Sequence, residues 1–247
     1  MLNNIKEKIT LKKWVINYTA LLLVTVLMAC GNGGNDADLS IDPALAKQKL
    51  PYWGEHDVEI NQGPNGTMTT DTAYYTLPKF VFRNQLNEQI SHRDYQGKIF
   101  VAEFFFSHCK SICPLMSAQM VRLQQLVKKE GLEEQVFFLS HTVDPTNDTP
   151  DTLKAYGEKL DADFSNWNFV TGDPKDIYWQ AESGYMLSAF PSDTADGGFF
   201  HTDKLTLVDR EMHIRGYYDG TSTKDVNKLF VDIKRLINEY ADSSLSR

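Results

Sequence analysis

The sequence predicts an α/β domain in which a mixed β-sheet is flanked by helices. Between residues 98 and 183, short apolar runs of strand length alternate with segments whose apolar residues recur at helical spacing. This alternation is typical of parallel strands that are joined by helices. Residues 204–218 have the pattern of an antiparallel hairpin, and residues 224–240 have that of a closing helix. We therefore expect one domain over residues 71–247.

The predicted elements begin with a hairpin that extends this domain at its N-terminal side. Proline and glycine set the bounds of the first long helix, because Pro114 suits a first helical turn and Gly131 suits the residue after a helix. Thr149 is a suitable N-cap for the second helix. The predicted segments are strands 80–83, 89–90 and 98–105, helix 114–130, strand 135–143, helix 150–160, strand 167–170, helix 174–183, strands 204–208 and 213–218, and helix 224–240.

Residues 1–29 have the pattern of a lipoprotein signal peptide. Four lysines precede a largely apolar run over 15–28, and the tetrapeptide at 27–30 resembles a lipobox whose Cys30 becomes lipidated after cleavage. An uncleaved membrane anchor is the alternative, but the apolar run is short for a spanning helix of about 20 residues. We expect an exported protein that is lipid-anchored to a bacterial membrane, with its domain outside the cytoplasm and facing the periplasm.

Residues 30–70 are expected to form a tether and an irregular spacer. The segment 31–38 is rich in glycine and asparagine, and the residues up to about position 70 lack sustained periodicity while carrying several Gly and Pro. No internal repeat is present in the sequence.

Charge and cysteine content narrow the function. The formal net charge is −8, and residues 1–29 hold four Lys and one Glu, so their removal leaves the chain three units more negative. An acidic chain of this kind is a poor candidate for nucleic-acid binding. With Cys30 assigned to lipid, Cys109 and Cys113 are the remaining cysteines. A domain of this size buries a core without disulfides, so the pair is free to serve function.

These two cysteines lie between the first core strand and the following helix, in the segment FFFSHCKSICPLM. A helix N-terminus favours thiolates, and the prediction is that Cys113 in particular benefits. The pair is therefore expected to be reactive and able to bind a metal. The alternative is a pair of inert core cysteines. A reactive pair in this position of a mixed sheet is the arrangement of thioredoxin-like proteins.

The most specific motifs are FFFSHCKSICP, VDPTNDTPDTLKAY and FFHTDKLTLVDREMHIRGYYDG. In order and spacing they resemble the Sco/SenC family of copper-binding proteins over about residues 78–240. The resemblance implies a thioredoxin-like fold and a copper site formed by Cys109, Cys113 and His201. Family members commonly carry an aspartate before this histidine, where the present chain has Phe200.

Copper, as Cu(I), Cu(II) or both, is the cofactor implied by the resemblance. Soft thiolates hold Cu(I), and imidazole suits both oxidation states. Zinc accepts the same atoms, but structural zinc sites usually close with a fourth protein ligand, for which the sequence offers no candidate.

Two functions follow from the resemblance. The first is a copper chaperone that delivers the metal to the binuclear copper centre of cytochrome c oxidase, whose copper-bearing subunit is then the partner. The second is a thiol-disulfide oxidoreductase that reduces the target's cysteines through Cys109 and Cys113. Other periplasmic copper carriers and thiol-disulfide proteins are further expected partners. A peroxidase is disfavoured, since no peroxidatic cysteine with supporting Thr and Arg stands out.

Overall fold

The computed structural model describes residues 39–46, 48–62, 65 and 67–245 of the 247-residue chain. The predicted signal peptide and Cys30 lie outside these residues. The helices and strands, in chain order, are α1 Pro43–Ala46, β1 His56–Gln62, β2 Met68–Tyr74, β3 Val81–Asn84, β4 Gln89–Ser91, β5 Ile99–Phe105, α2 Cys113–Lys129, β6 Val136–Thr142, α3 Pro150–Lys159, β7 Trp167–Thr171, α4 Pro174–Trp179, β8 Ala189–Pro191, β9 Phe199–His201, β10 Lys204–Val208, β11 Ile214–Asp219 and α5 Thr223–Leu245.

In this part of the chain, seven strands form a mixed sheet in the order β11-β10-β5-β6-β7-β3-β4. The central strands β5, β6 and β7 run parallel, whereas β10 pairs antiparallel with β5 and β3 pairs antiparallel with β7. The predicted mixed sheet with an N-terminal hairpin, β3 and β4, is confirmed. The parallel strands end at the same edge of the sheet, and the loop with both cysteines leaves β5 there.

Strand β5 is buried along its whole length because helical segments pack on both faces of the sheet. Phe105 stacks on Tyr156 of α3 at a ring-centroid distance of 5.1 Å. Phe104 points to the opposite face and contacts Tyr185, which follows α4, at 5.5 Å. This double burial explains why β5 reads as a continuous apolar run rather than an alternating one.

One charged residue interrupts that run. Glu103 is fully buried, and its Oε1 accepts a hydrogen bond of 2.8 Å from the Ser140 hydroxyl, which itself accepts one from the indole N–H of Trp167. Burial raises the pKa of Glu103 to about 7, although the Ser140 hydrogen bond acts in the opposite direction. The carboxyl group is therefore partly protonated at neutral pH.

The segment before the hairpin β1–β2 has little regular secondary structure beyond α1, yet it is bound to the domain. The Arg215 side chain donates hydrogen bonds to the carbonyls of Leu50 at 2.7 Å and Pro51 at 3.1 Å, and its charge is paired with Asp209 and Glu239. These partners compensate the burial of the guanidinium, which is 2% exposed. The N-terminal segment is thereby fastened to strand β11.

The prediction of an irregular spacer up to residue 70 is wrong for the hairpin formed by β1 and β2. Seven residue pairs join the two strands in antiparallel register, from His56 with Tyr74 to Gln62 with Met68. Every residue of β1 is exposed, so burial contributes little to this strand, although Val58 and Ile60 alternate with polar residues in a short strand-like pattern. Backbone pairing and the stacking of Tyr74 on Tyr52, at 3.8 Å between ring centroids, stabilise it instead.

Smaller differences occur at element ends. Helix α2 begins at Cys113, so Pro114 is its second residue, and the helix predicted over 174–183 is α4 followed by a single π-turn over Gln180–Gly184. The N-cap predicted at Thr149 is confirmed, because its hydroxyl accepts a hydrogen bond from the N–H of Thr152. None of the helices in the described residues combines the length and the apolar character needed to span a membrane.

Candidate metal centre

The two cysteines occupy different parts of the β5–α2 connection. Cys109 lies in the loop and is 9% exposed, whereas Cys113 is the first residue of α2 and is 1% exposed. The N-cap position, Ile112, provides no side-chain hydrogen bond to the helix. The helix start is instead held in the core by the residues that follow, of which Met116 is fully buried.

Asp148 fixes the loop that carries Cys109. Its buried carboxylate accepts hydrogen bonds from the N–H of Ser107 at 3.0 Å, from the Ser107 hydroxyl and from the hydroxyl of Thr142. These bonds compensate the burial of the carboxylate and connect the end of β6 to the residue two positions before Cys109. Asp148 was not among the predicted site residues. The available signal was its place in the motif VDPTNDTP, where it follows a buried strand.

His201 is the last residue of β9, which pairs with β8 in a two-stranded sheet that was not predicted. Its partner in the register is Ala189, and Phe200 pairs with Phe190. The His201 side chain is 6% exposed, whereas Phe200, the residue at the family's aspartate position, is 44% exposed. Pairing with β8 gives His201 a fixed backbone.

Gly197 brings this small sheet close to the cysteine loop. Its φ of +75° lies in the left-handed region, and a Cβ at this position would lie 2.6 Å from Cε2 of Phe106. Glycine is therefore required both for the backbone angle and for the close approach. The Phe106 ring packs against Phe199 and His201 at centroid distances of 5.6 Å and 5.9 Å.

The three predicted ligands meet at this point. The sulfur atoms of Cys109 and Cys113 and a ring nitrogen of His201 all lie within 4.8 Å of one another. Nε2 of His201 is 3.1 Å from Sγ of Cys113, and Nδ1 is 3.0 Å from the carbonyl oxygen of Thr202. If the Nδ1–H donates to that carbonyl, Nε2 keeps a free lone pair directed at the sulfur.

The protonation of the three groups is set mainly by burial. Burial lowers the pKa of His201, and the hydrogen bond to Thr202 counteracts this only in part, so the imidazole is neutral at neutral pH. Burial also raises the pKa of Cys113, with a further rise from its hydrogen bond to Cys109. At Cys109, hydrogen bonds from Cys113 and Ser111 outweigh burial and lower the pKa. The prediction that Cys113 is the favoured thiolate is therefore wrong, because burial raises the pKa of Cys113 whereas hydrogen bonds lower that of Cys109.

This arrangement offers two sulfur donors and one neutral imidazole with little rearrangement. Such a set suits a soft or borderline metal ion, and copper fits it in either common oxidation state. Among the described residues, no fourth His, Cys, Asp or Glu joins the group. A site with three protein ligands leaves a position for an exchanging ligand, which is typical of reactive rather than structural sites.

Two further histidines are separate from the centre. His108 is exposed, and its Nδ1 lies 2.9 Å from the Ser107 hydroxyl, although the residue is adjacent to Cys109. His141 is fully buried among aromatic rings, and burial lowers its pKa to about 3. His108 is therefore a surface residue, and His141 is part of the aromatic core.

A sequence model of the SCO1/SenC family matches residues 68–238. The chain belongs to the SCO1/SenC family. Its relatives of known structure include a SCO1/SenC family lipoprotein from Bacillus anthracis str. Ames, which is 34% identical with a TM-score of 0.62. That alignment covers 66% of this chain and 95% of the other. The fold of this SCO1/SenC protein is accordingly thioredoxin-like, as predicted.

Two other structures extend the comparison. BsSco, described as a member of the Sco family of cytochrome c oxidase assembly proteins with a disulfide switch, is 28% identical with a TM-score of 0.59. The alignment covers 66% of this SCO1/SenC chain and 93% of the BsSco chain. Bradyrhizobium japonicum ScoI, solved with copper bound, is 23% identical over 66% of this chain and 99% of its own, with a TM-score of 0.55. At that identity the likeness shows the fold.

Two alanine variants can separate the effect of the close contact between Gly197 and Phe106 from the effect of the left-handed backbone angle. Gly197→Ala should lower stability and weaken metal binding, because the new Cβ pushes the His201 sheet away from Phe106. Gly198→Ala is the matched control, since φ is +86° there but no atom lies within 4 Å of the added Cβ. Both variants should lose roughly 1–2 kcal/mol from the left-handed backbone. Thermal unfolding and copper titration measure the two effects, and equal copper affinity in both variants contradicts the assignment.

Asp148 should influence metal affinity through the loop. We expect Asp148→Asn to weaken copper binding by about tenfold, the lower end of the range for residues that orient ligands. Asp232→Asn is the control, because Asp232 is a buried carboxylate on α5 that accepts hydrogen bonds from Tyr218 and Arg235. It should lower the unfolding temperature without changing copper affinity. A parallel loss of affinity in both variants would mean that general destabilisation is responsible.

Proposed function

We propose that this protein is a copper chaperone that binds one copper ion through Cys109, Cys113 and His201. It delivers the ion to the copper-bearing subunit of cytochrome c oxidase. The observation that carries the proposal is the convergence of two sulfurs and a neutral imidazole within 4.8 Å. Copper-bound ScoI and the description of BsSco as a member of a cytochrome c oxidase assembly family support the choice of metal and recipient.

The geometry supports release as well as binding. Cys113 and His201 are held by the core and by β9, whereas Cys109 belongs to a loop and is the most exposed of the three. A ligand on a loop can leave the metal while the other two retain it, and an incomplete set leaves room for a donor from a partner. Transfer by stepwise ligand exchange needs both properties.

Thiol-disulfide exchange is the second candidate. The structure contains both cysteines as free thiols, and hydrogen bonds lower the pKa of Cys109. A thiolate at Cys109, the less buried of the two cysteines, attacks a substrate disulfide, and Cys113 then releases the product by forming the Cys109–Cys113 disulfide. This reaction has no need of His201, and that difference separates the two functions.

Variants of the three ligands test copper binding. The reduced protein should bind about one copper per chain, and Cys109→Ser or Cys113→Ser should abolish tight binding, because each removes one of two thiolates. His201→Ala should weaken Cu(II) binding by at least the roughly 10- to 100-fold that follows loss of an orienting group. His56→Ala, which changes an exposed histidine of β1 outside the group of ligands, is the control and should retain full affinity.

The same His201→Ala variant separates delivery from reduction. It should keep the ability to reduce a model disulfide, since the exchange uses the two sulfurs, while oxidase assembly falls in cells that carry it. Metal content, disulfide reduction and oxidase activity are measured on one variant. Normal oxidase assembly despite lost copper affinity would contradict the chaperone function and favour the reductase function.

We propose further that Cys30 is lipidated after removal of residues 1–29, which anchors the exported domain to a bacterial membrane on its periplasmic side. The support is the basic, apolar and lipobox pattern of the N-terminus, and the Bacillus anthracis relative is described as a lipoprotein. Cys30→Ser should yield a chain without lipid that still binds copper, because the centre lies within the domain. Mass spectrometry of the mature N-terminus decides, and an unmodified Cys30 in the wild type contradicts the proposal.

A further inference from the structure

A cavity of about 190 Å³ borders the candidate metal centre on the side of Cys109 and His201. Cys113 does not line it. Ser111 contributes one hydroxyl, and the remaining lining side chains are apolar: Phe106, Ile112, Ala195, Phe199 and Phe200. The cavity therefore gives an external group access to one sulfur and one imidazole of the centre.

Size and charge restrict what can enter. A cavity of about 150 Å³ lined by apolar side chains holds a molecule the size of benzene, so this cavity accepts a single side chain and no larger structure. Among the described residues that line it, none is Asp, Glu, Lys or Arg. A charged group would lose its hydration here without gaining an opposite charge. The fitting occupant is a neutral, mostly apolar side chain.

The mouth of the cavity is apolar as well. Phe200 and Phe190 stack on each other at 5.2 Å between ring centroids, and they are 44% and 42% exposed. Exposed aromatic pairs of this kind are common at protein–protein contacts, where aromatic residues are enriched. A protein that inserts a side chain into the cavity would cover this pair at the same time.

Methionine meets the requirements of both the cavity and the metal. Its side chain is unbranched and neutral, its thioether makes favourable contacts with aromatic rings, and its sulfur is a soft donor suited to Cu(I). A carboxylate does not meet these requirements, because its charge would lose hydration in the apolar cavity. Cysteine is short and would fill little of the cavity, and histidine is rigid and more polar.

We propose that this cavity receives a methionine side chain of the protein with which the chain exchanges copper. The thioether then binds the copper beside Cys109 and His201. This rests on the proposed copper-binding function. A copper–sulfur bond forms, the metal stays Cu(I), and no proton is released because a thioether carries no acidic hydrogen. The partner is thus recognised by an exposed methionine on an apolar surface.

The experiment uses the purified full chain loaded with Cu(I) and titrated with N-acetyl-methionine methyl ester. X-ray absorption at the copper edge reports the ligands, and we expect an additional sulfur at saturation. The norleucine ester, which has the same shape without sulfur, should leave the copper spectrum unchanged. N-acetyl-leucine methyl ester, a branched apolar side chain without a donor atom, is a second control and should also leave the copper spectrum unchanged.

Two variants locate the binding. Ala195→Phe fills the cavity and should weaken the methionine response by about tenfold or more, since a side chain of this size loses its burial, while Cu(I) remains bound. Ala118→Phe makes the same change at an exposed position of α2 and should have no effect. Absence of an added sulfur, the same spectral change with the norleucine ester, or an unchanged response in Ala195→Phe overturns the inference while copper binding stands. A chain that binds no copper instead removes the proposed function itself.

Discussion

The 3.1 Å contact between the Cys113 sulfur and the His201 imidazole is the constraint on which the centre depends. It joins residues that lie 88 positions apart in the chain. Each of the two residues is positioned by a different part of the fold. Cys113 is placed by the first turn of α2 in the core, whereas His201 is placed by the pairing of β9 with β8 and by the ring of Phe106. Because both partners are fixed independently, the imidazole and the thiol meet without the loss of side-chain freedom that a surface pair would require.

The centre is rigid on one side and accessible on the other. Burial at Cys113 and His201 keeps a neutral imidazole and a protonated thiol away from water, and the same burial would make loss of a metal from these two groups slow. Cys109 differs because it lies on a loop whose position depends on a single buried carboxylate, that of Asp148. A soft metal ion could therefore be held firmly by two groups and exchanged at the third, next to the aromatic cavity.

The N-terminal part of the described chain contributes to this rigidity at a distance. Arg215 fastens the segment before β1 to β11, which is paired with β10, and β10 in turn borders β5. The strand that leads into the cysteine loop is thus surrounded by paired strands on both sides. By contrast, the hairpin β1–β2 exposes nearly all of its residues, so its role lies outside the core of the domain.

Local patterns in the sequence were sufficient to predict the order of the central strands and helices, because buried strands, proline in a first turn and the N-cap Thr149 act over a few residues. The family motifs likewise named Cys109, Cys113 and His201. Tertiary structure decided the rest. In the exposed strand β1 the apolar alternation is limited to Val58 and Ile60, which is too short a pattern to predict its pairing with β2. Which cysteine is the favoured thiolate depends on burial, and burial is a property of the packed domain. The roles of Asp148 and Gly197 arise from contacts with Ser107 and Phe106, residues 41 positions before Asp148 and far from Gly197 in the chain.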